Sequence, residues 1–355
     1  MLQGSNAIAG LRAAHRSFAT RIADISLAHS LDLVRTPRAG DLCLAKVTRV
    51  GHHRHVELVT GRRAALSVGD TMILAFGHRY ATDQFEAVVP ATQAACHLAA
   101  AGGIAATVLS RHADTRPPTE IMPLGVICDS SGVPLNLERW GWPGVSTSPS
   151  AQPKPHMILV AGTSMNAGKT TVCCQIIRTL NACGLRAGAL KLTGTGSGGD
   201  LWRFLDSGAH EAMDFGNVGL ASTAGMDTRI LDAAIGRLCA AVSPSTDIIV
   251  AELADGLLQR ETSALLQSSA LRNRVDSLVF AASDPLGAIA GIELLSSWDI
   301  EVAAVSGLMC ASPLAVREFR SFMSTPVIFA DPEDPQLVAA RLLSTRPAPV
   351  LKNAS

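Results

Sequence analysis

The residues best equipped for chemistry in this chain form one run, "GTSMNAGKTT", residues 162–171. Thr163, Ser164, Met165, Asn166 and Ala167, mostly small or polar, stand between Gly162 and Gly168, and Lys169-Thr170-Thr171 follows. Such a turn lets successive backbone N–H groups point into one concavity, where they bind anions. Gly168 permits close approach of the backbone, Lys169 brings a charge to the β- and γ-phosphates, and Thr170 offers a hydroxyl to Mg²⁺. Gly162, Asn166, Ala167, Gly168, Lys169, Thr170 and Thr171 are therefore the candidate nucleotide-binding residues. The common phosphate loop has four residues between its glycines, whereas five separate Gly162 from Gly168.

Phosphoryl transfer also needs carboxylates and counter-charges. Glu252 closes the apolar run "DIIVAE", residues 247–252, where a carboxylate would reach Mg²⁺ directly or through water. Asp255 is the competing choice, its other reading being a turn residue in "ADG". Lys191 is a charge inside an apolar strand pattern, which calls for an anionic partner. Asp200 closes the glycine-rich run after it, either as a second carboxylate directed at the metal or as the cap of a helix from about 201. Lys169, Lys191 and Glu252 are the candidate catalytic residues, and Thr170, Asp200 and Glu252 the candidate metal ligands.

These residues need elements to position them. From 157 onward the pattern alternates strand and helix, with strands expected near 157–162, 186–192, 247–252, 277–282, 301–306 and 326–330. Long crossovers between apolar strands require a parallel sheet covered on both faces, so the fold class is α/β, a doubly wound P-loop domain over 157–345. Its ligands should gather at the carboxyl ends of the strands. Residues 141–156, "GWPGVSTSPSAQPKPH", read as a Pro/Ser-rich linker. Before it, residues 1–140 read as a smaller β-rich α+β domain: a helix over about 5–30, short strands at 41–50, 53–60, 70–77 and 85–89, then a less regular segment to 140. Close spacing of short strands suggests a small barrel or sandwich.

The motifs "GTSMNAGKTT", "GLRAGALKLTGTGSGGD", "DIIVAELADGLL" and "FAASDPLGAIAGIELL" resemble, in order, the core motifs of dethiobiotin synthetase and its P-loop amidoligase relatives, which also carry five residues between the first glycine and Gly-Lys-Thr. The resemblance covers about 157–330. It implies ATP and Mg²⁺ at Lys169 and Thr170, Lys191 beside the transferring phosphate or a substrate carboxylate, and metal at Asp200 and Glu252. The implied reaction is activation of a small carboxylate or carbamate for C–N bond formation, with a small carboxylate or amine substrate and a homodimer. Two departures, Ser164 in place of an Asp and Leu253 and Asp255 in place of small residues, argue against dethiobiotin formation itself. A second resemblance, over "KLTGTGSGGD" and "AELADGLLQRETSALL", is to a P-loop family that includes a D-glutamate N-acetyltransferase. A nucleotide-hydrolysing switch or adaptor is the alternative from another class.

Composition narrows the field further. Lys+Arg and Asp+Glu are 30 each, so no overall field draws the chain to nucleic acid or an anionic membrane. The 48% hydrophobic content is that of a globular protein, and the eight cysteines show no Cys-x-x-Cys pair, as expected of reduced, mostly buried thiols in a cytoplasmic protein. His53 and His55 share one expected strand face but have no carboxylate or cysteine to complete a metal site.

Overall fold

The computed structural model describes residues 10–141, 155–331 and 333–344. The chain divides into two compact units, one of Met1–Thr147, Thr193–Trp202 and Met213–Leu238, the other of Ser148–Leu192, Arg203–Ala212 and Cys239–Ser355. Most of the expected linker, residues 142–154, lies outside the described residues.

The first unit is built on β1 (His15–Arg16), β2 (Ser30–Asp32), β3 (Leu42–Arg49), β4 (His55–Glu57), β5 (Arg63–Ala65), β6 (Thr71–Phe76), β7 (Arg79–Tyr80), β8 (Phe85–Val88), β9 (Cys96–Ala100), β10 (Ile104–Arg111) and β11 (Thr119–Cys128). Pairing runs β6-β3-β11-β9-β10, and β10 returns to β6 in parallel, so five strands close into a barrel. Alternation along each strand sends side chains to opposite faces. Cys43, Ala45 and Val47 thus join Met72, Leu74, Phe76, Leu98 and Ile121 in one buried cluster. Their neighbours Leu42, Leu44, Ile73 and Ala75 join Leu11, Ala19, Leu31, Leu137 and Ala221 in another.

Two expectations for this unit need correction. The predicted helix over about 5–30 is helical at residues 10–13 among those described, after which the chain forms β1 and two 3₁₀ turns, Phe18–Thr20 and Ile25–Leu27. The Arg16 guanidinium gathers the carbonyls of Thr20 and Arg21 at 3.0 Å each, so helical spacing of apolar residues yields to a folded-back segment. The segment expected to be irregular holds β9, β10 and β11. Its alanines, glycines and Pro123 hide the strand pattern, and a register shift between Pro123 and Gly125 interrupts the alternation.

The second unit carries β12 (His156–Gly162), β13 (Ala187–Lys191), β15 (Ile248–Glu252), β16 (Ser277–Ala281) and β17 (Ala304–Ser306), with β14 (Glu211–Asp214) at the edge of a sheet ordered β14-β13-β15-β12-β16-β17. The pairings of β12 with β15 and β16, of β13 with β15, and of β16 with β17 are parallel, as the strand and helix alternation predicts. Its helices are α1 (Lys169–Ala182), α2 (Gly199–Asp206), α3 (Thr228–Val242), α4 (Arg260–Gln267), α5 (Ser269–Arg272), α6 (Pro285–Ser297), α7 (Pro313–Phe322) and α8 (Pro335–Leu343), α2 and α3 being shared with the first unit. The strand expected at 326–330 is reduced to one parallel bridge, Val305 to Val327, beside Pro326, which lacks an N–H for a ladder. Among the described residues no helix is long and apolar enough to cross a membrane.

Candidate functional site

Strand β12 is central, with the chain turning to β13 on one side and reaching β16 on the other, and such a switch point is where open α/β sheets bind ligands. The loop after β12 stands there. Gly162 ends the strand so tightly that a Cβ would lie 2.8 Å from the Ala281 carbonyl oxygen and 3.0 Å from Lys169 Cγ. Asn166 and Gly168 adopt positive φ, 60° and 97°, turning the chain sharply before α1 begins at Lys169. Within α1, Val172, Cys173, Ile176, Ile177 and Leu180 are buried, and their spacing anchors the helix while its first N–H groups face the loop.

Lys169 is buried, and its Nζ donates to the carbonyl oxygens of Ser164 and Asp255 at 2.7 Å each. The ammonium therefore curls back over its own loop and ties it to the turn after β15. Asp255 holds a φ of 63° in the turn "ADG", and its carbonyl is one of the two acceptors of Lys169. Gly256 follows because a Cβ there would run into the Thr163 carbonyl.

Lys191 and Glu252 end neighbouring strands in direct register, and Lys191 Nζ donates to Glu252 Oε1 at 3.1 Å. Their side chains are 12% and 3% exposed, so the lysine expected to need an anionic partner has one out of water. Glu252 Oε2 is buried and has no hydrogen-bond partner among the described residues. A carboxylate oxygen of this kind, with the Thr170 hydroxyl at the start of α1, fits the oxygen preference of Mg²⁺.

Three contributors were not evident from sequence. Arg203 Nη2 donates to Thr171 Oγ1 at 2.8 Å from 32 residues away, and no local pattern marks it. The Asp255 carbonyl acts through the backbone, which sequence hides. Gly307, with a φ of 105°, seats the loop from below, where Leu308 N–H donates to the Ala167 carbonyl at 3.1 Å; its signal is the glycine closing "VSG" at a strand end. Asp200 is not a helix cap but stands in the first turn of α2, among residues of the first unit. His53 precedes β4 and packs its ring against His52 and Phe85, with Nε2 3.1 Å from the Ala99 carbonyl. Among the described residues no group of three or more His, Cys, Asp or Glu is placed to hold a metal.

No family model and no curated protein matches the sequence. Solved structures give remote likenesses. The signal recognition particle receptor FtsY from Elizabethkingia anophelis in complex with GDP is 15% identical, with 56% of this chain and 67% of that chain covered and a TM-score of 0.35. A DUF1611 family protein from Anabaena variabilis is 14% identical over 56% and 60% of the two chains, with a TM-score of 0.38. The 54 kDa signal recognition particle protein from Aeropyrum pernix in complex with GDP is 16% identical over 59% and 50%, with a TM-score of 0.34. The chain thus spans between half and about two thirds of the length of these proteins.

Proposed function

We propose that the second unit binds a nucleoside triphosphate with Mg²⁺ at residues 162–171 and cleaves its terminal phosphoanhydride bond. The observation that carries this reading is Lys169 at the start of α1, on the loop of the central strand, with its ammonium curled over that loop. The loop N–H groups and the α1 N-terminus would bind the phosphates, as helix starts bind anions. Lys169 would exchange its two carbonyl partners for phosphate oxygens. Lys191 would stabilise charge spreading over the transferring group, and Glu252 would hold the cation or its water. Bound Mg²⁺ supplies charge neutralisation to the phosphate oxygens.

In this reading hydrolysis drives a switch, with the first unit reading the state of the nucleotide. The motivating feature is covalent: the chain passes from Lys191 through Leu192 directly into Thr193–Trp202 of the first unit. A second reading, transfer of the phosphoryl group to a small carboxylate or carbamate as in dethiobiotin synthetases, draws on Lys191 itself, a half-buried charge at the end of its strand.

The test is titration with mant-labelled ATP and GTP plus Mg²⁺, followed by phosphate release. Wild-type protein should bind at least one of them, and Lys169→Ala should bind it on the order of 100-fold more weakly while its circular dichroism is unchanged. Equal affinity of the two proteins, or no binding by either, overturns the assignment. Phosphate release that depends on a carboxylate metabolite supports the second reading, and release that responds only to a protein supports the first.

A further inference from the structure

Helix α1 is flanked by the segment Arg203–Ala212, which belongs to the same unit. Asn181 Nδ2, in the last turn of α1, donates to the Gly208 carbonyl at 2.8 Å, and His210 N–H donates to the Ala187 carbonyl of β13 at 2.8 Å. Nearer the start of α1, Phe204 is buried and Cys174 Sγ–H donates to the Arg203 carbonyl at 3.5 Å. The segment is thus held toward both ends of α1, and its first residue is delivered to the turn that carries Thr171.

There Arg203 Nη2–H donates to Thr171 Oγ1 at 2.8 Å. A hydroxyl that accepts still has its own proton to give, and a guanidinium that spends one of its five N–H groups has others to offer. Arg203 is exposed and has no carboxylate partner among the described residues. Positive charge beside a helix N-terminus is opposed by the helix dipole, which favours acids in the first turn. The first turn of α1 carries no acid, and two cations stand at it: Lys169 itself and Arg203 on Thr171. An anion that meets both relieves this opposition.

Lys169 and Thr171 are two residues apart, about 200° round a helix. Lys169 reaches toward the turn after β15, whereas Thr171 faces Arg203. In phosphate loops the lysine serves the β- and γ-phosphates, which leaves the phosphate next to the nucleoside for the other side. We propose that Arg203 is a binding residue of the nucleotide site and holds the α-phosphate together with the Thr171 hydroxyl. The proposal rests on the nucleotide reading above.

The experiment distinguishes a failure of that reading from a failure of this one. Wild-type protein that binds none of mant-labelled ADP, ATP, GDP and GTP with Mg²⁺ overturns the nucleotide reading and the role of Arg203 with it. With binding established, Arg203→Ala should weaken the diphosphate and the triphosphate of the favoured base by the same factor, about tenfold, as the loss of a charge-assisted hydrogen bond does. Arg203→Lys keeps the charge without the planar fork that serves Thr171 and a phosphate at once, and should lose about threefold. Because Arg203 and Thr171 act on one group, Arg203→Ala/Thr171→Val should lose less than the product of the two single losses. Arg178, exposed further along α1, is the control for bulk charge, and Arg178→Ala should bind as wild type does. Unchanged affinity in Arg203→Ala, an equal loss in Arg178→Ala, or a loss confined to the triphosphate overturns the proposal while leaving the nucleotide reading in place. If circular dichroism shows Arg203→Ala unfolded, Arg203→Gln, which also removes the charge, takes its place with the same outcomes.

Discussion

Lys191 and Glu252 face each other across adjacent parallel strands, 3.1 Å apart and both nearly out of water. Removing one member of such a pair strands the other charge, which costs about 3–5 kcal/mol. Lys191→Met should destabilise the protein by that order, and Lys191→Met/Glu252→Gln should recover most of the loss. Urea denaturation of the two single variants and the double variant measures the coupling. Strictly additive losses would show that the pair does not act as a unit.

Asp255 offers its carbonyl to Lys169 at 2.7 Å. Asparagine tolerates positive φ and removes only the charge, so Asp255→Asn should leave Mg·nucleotide affinity within about twofold of wild type. A β-branched side chain is strained there, and Asp255→Val should cost about 1–2 kcal/mol. A large drop in Mg²⁺ dependence for Asp255→Asn would return the metal role to this side chain.

Burial, and then the charge of Arg79, push the His53 imidazole down to about 3. An unfolded histidine takes a proton near 6.5, so between pH 6.5 and 3 the unfolded chain binds more protons than the folded one. Stability from this group is complete above pH 6.5 and is lost as the pH falls toward 3. His52, His78 and His97 shift in the same direction, chiefly by burial, and add to the slope. Urea midpoints measured from pH 7 to 4 should fall more steeply for wild type than for His53→Gln. Parallel curves would mean that His53 takes up its proton in the folded state.

The fold of the second unit and its candidate site were readable because their signals are local. Glycine, lysine and threonine at the end of an apolar strand stand in a few consecutive residues, and Lys191 and Glu252 are each visible as charges ending apolar runs. What stayed hidden depends on distance or on backbone. Arg203 reaches Thr171 from another helix, the Asp255 carbonyl belongs to no side-chain pattern, and Glu57 looks like an ordinary polar residue of a short strand until Gly198 and Trp202 arrive from 141 and 145 residues further on. The barrel was legible only as a crowd of short strands. Its closure rests on β9, β10 and β11, where small residues and a bulge break up the apolar runs that mark β3 and β6.

The interleaved course of the chain bears on how the protein can be made and cut. Translation delivers the barrel strands well before Thr193–Trp202 and Met213–Leu238, so a nascent chain ending at the proline-rich segment holds Glu57 without Ser197, Gly198 or Trp202, and Arg21 without its partner Asp214. Dissection at that segment, the obvious place by sequence, would split the first unit and leave a carboxylate and a guanidinium stranded. The barrel strands and the parallel sheet are thus obliged to travel as one gene product, expressed and purified whole.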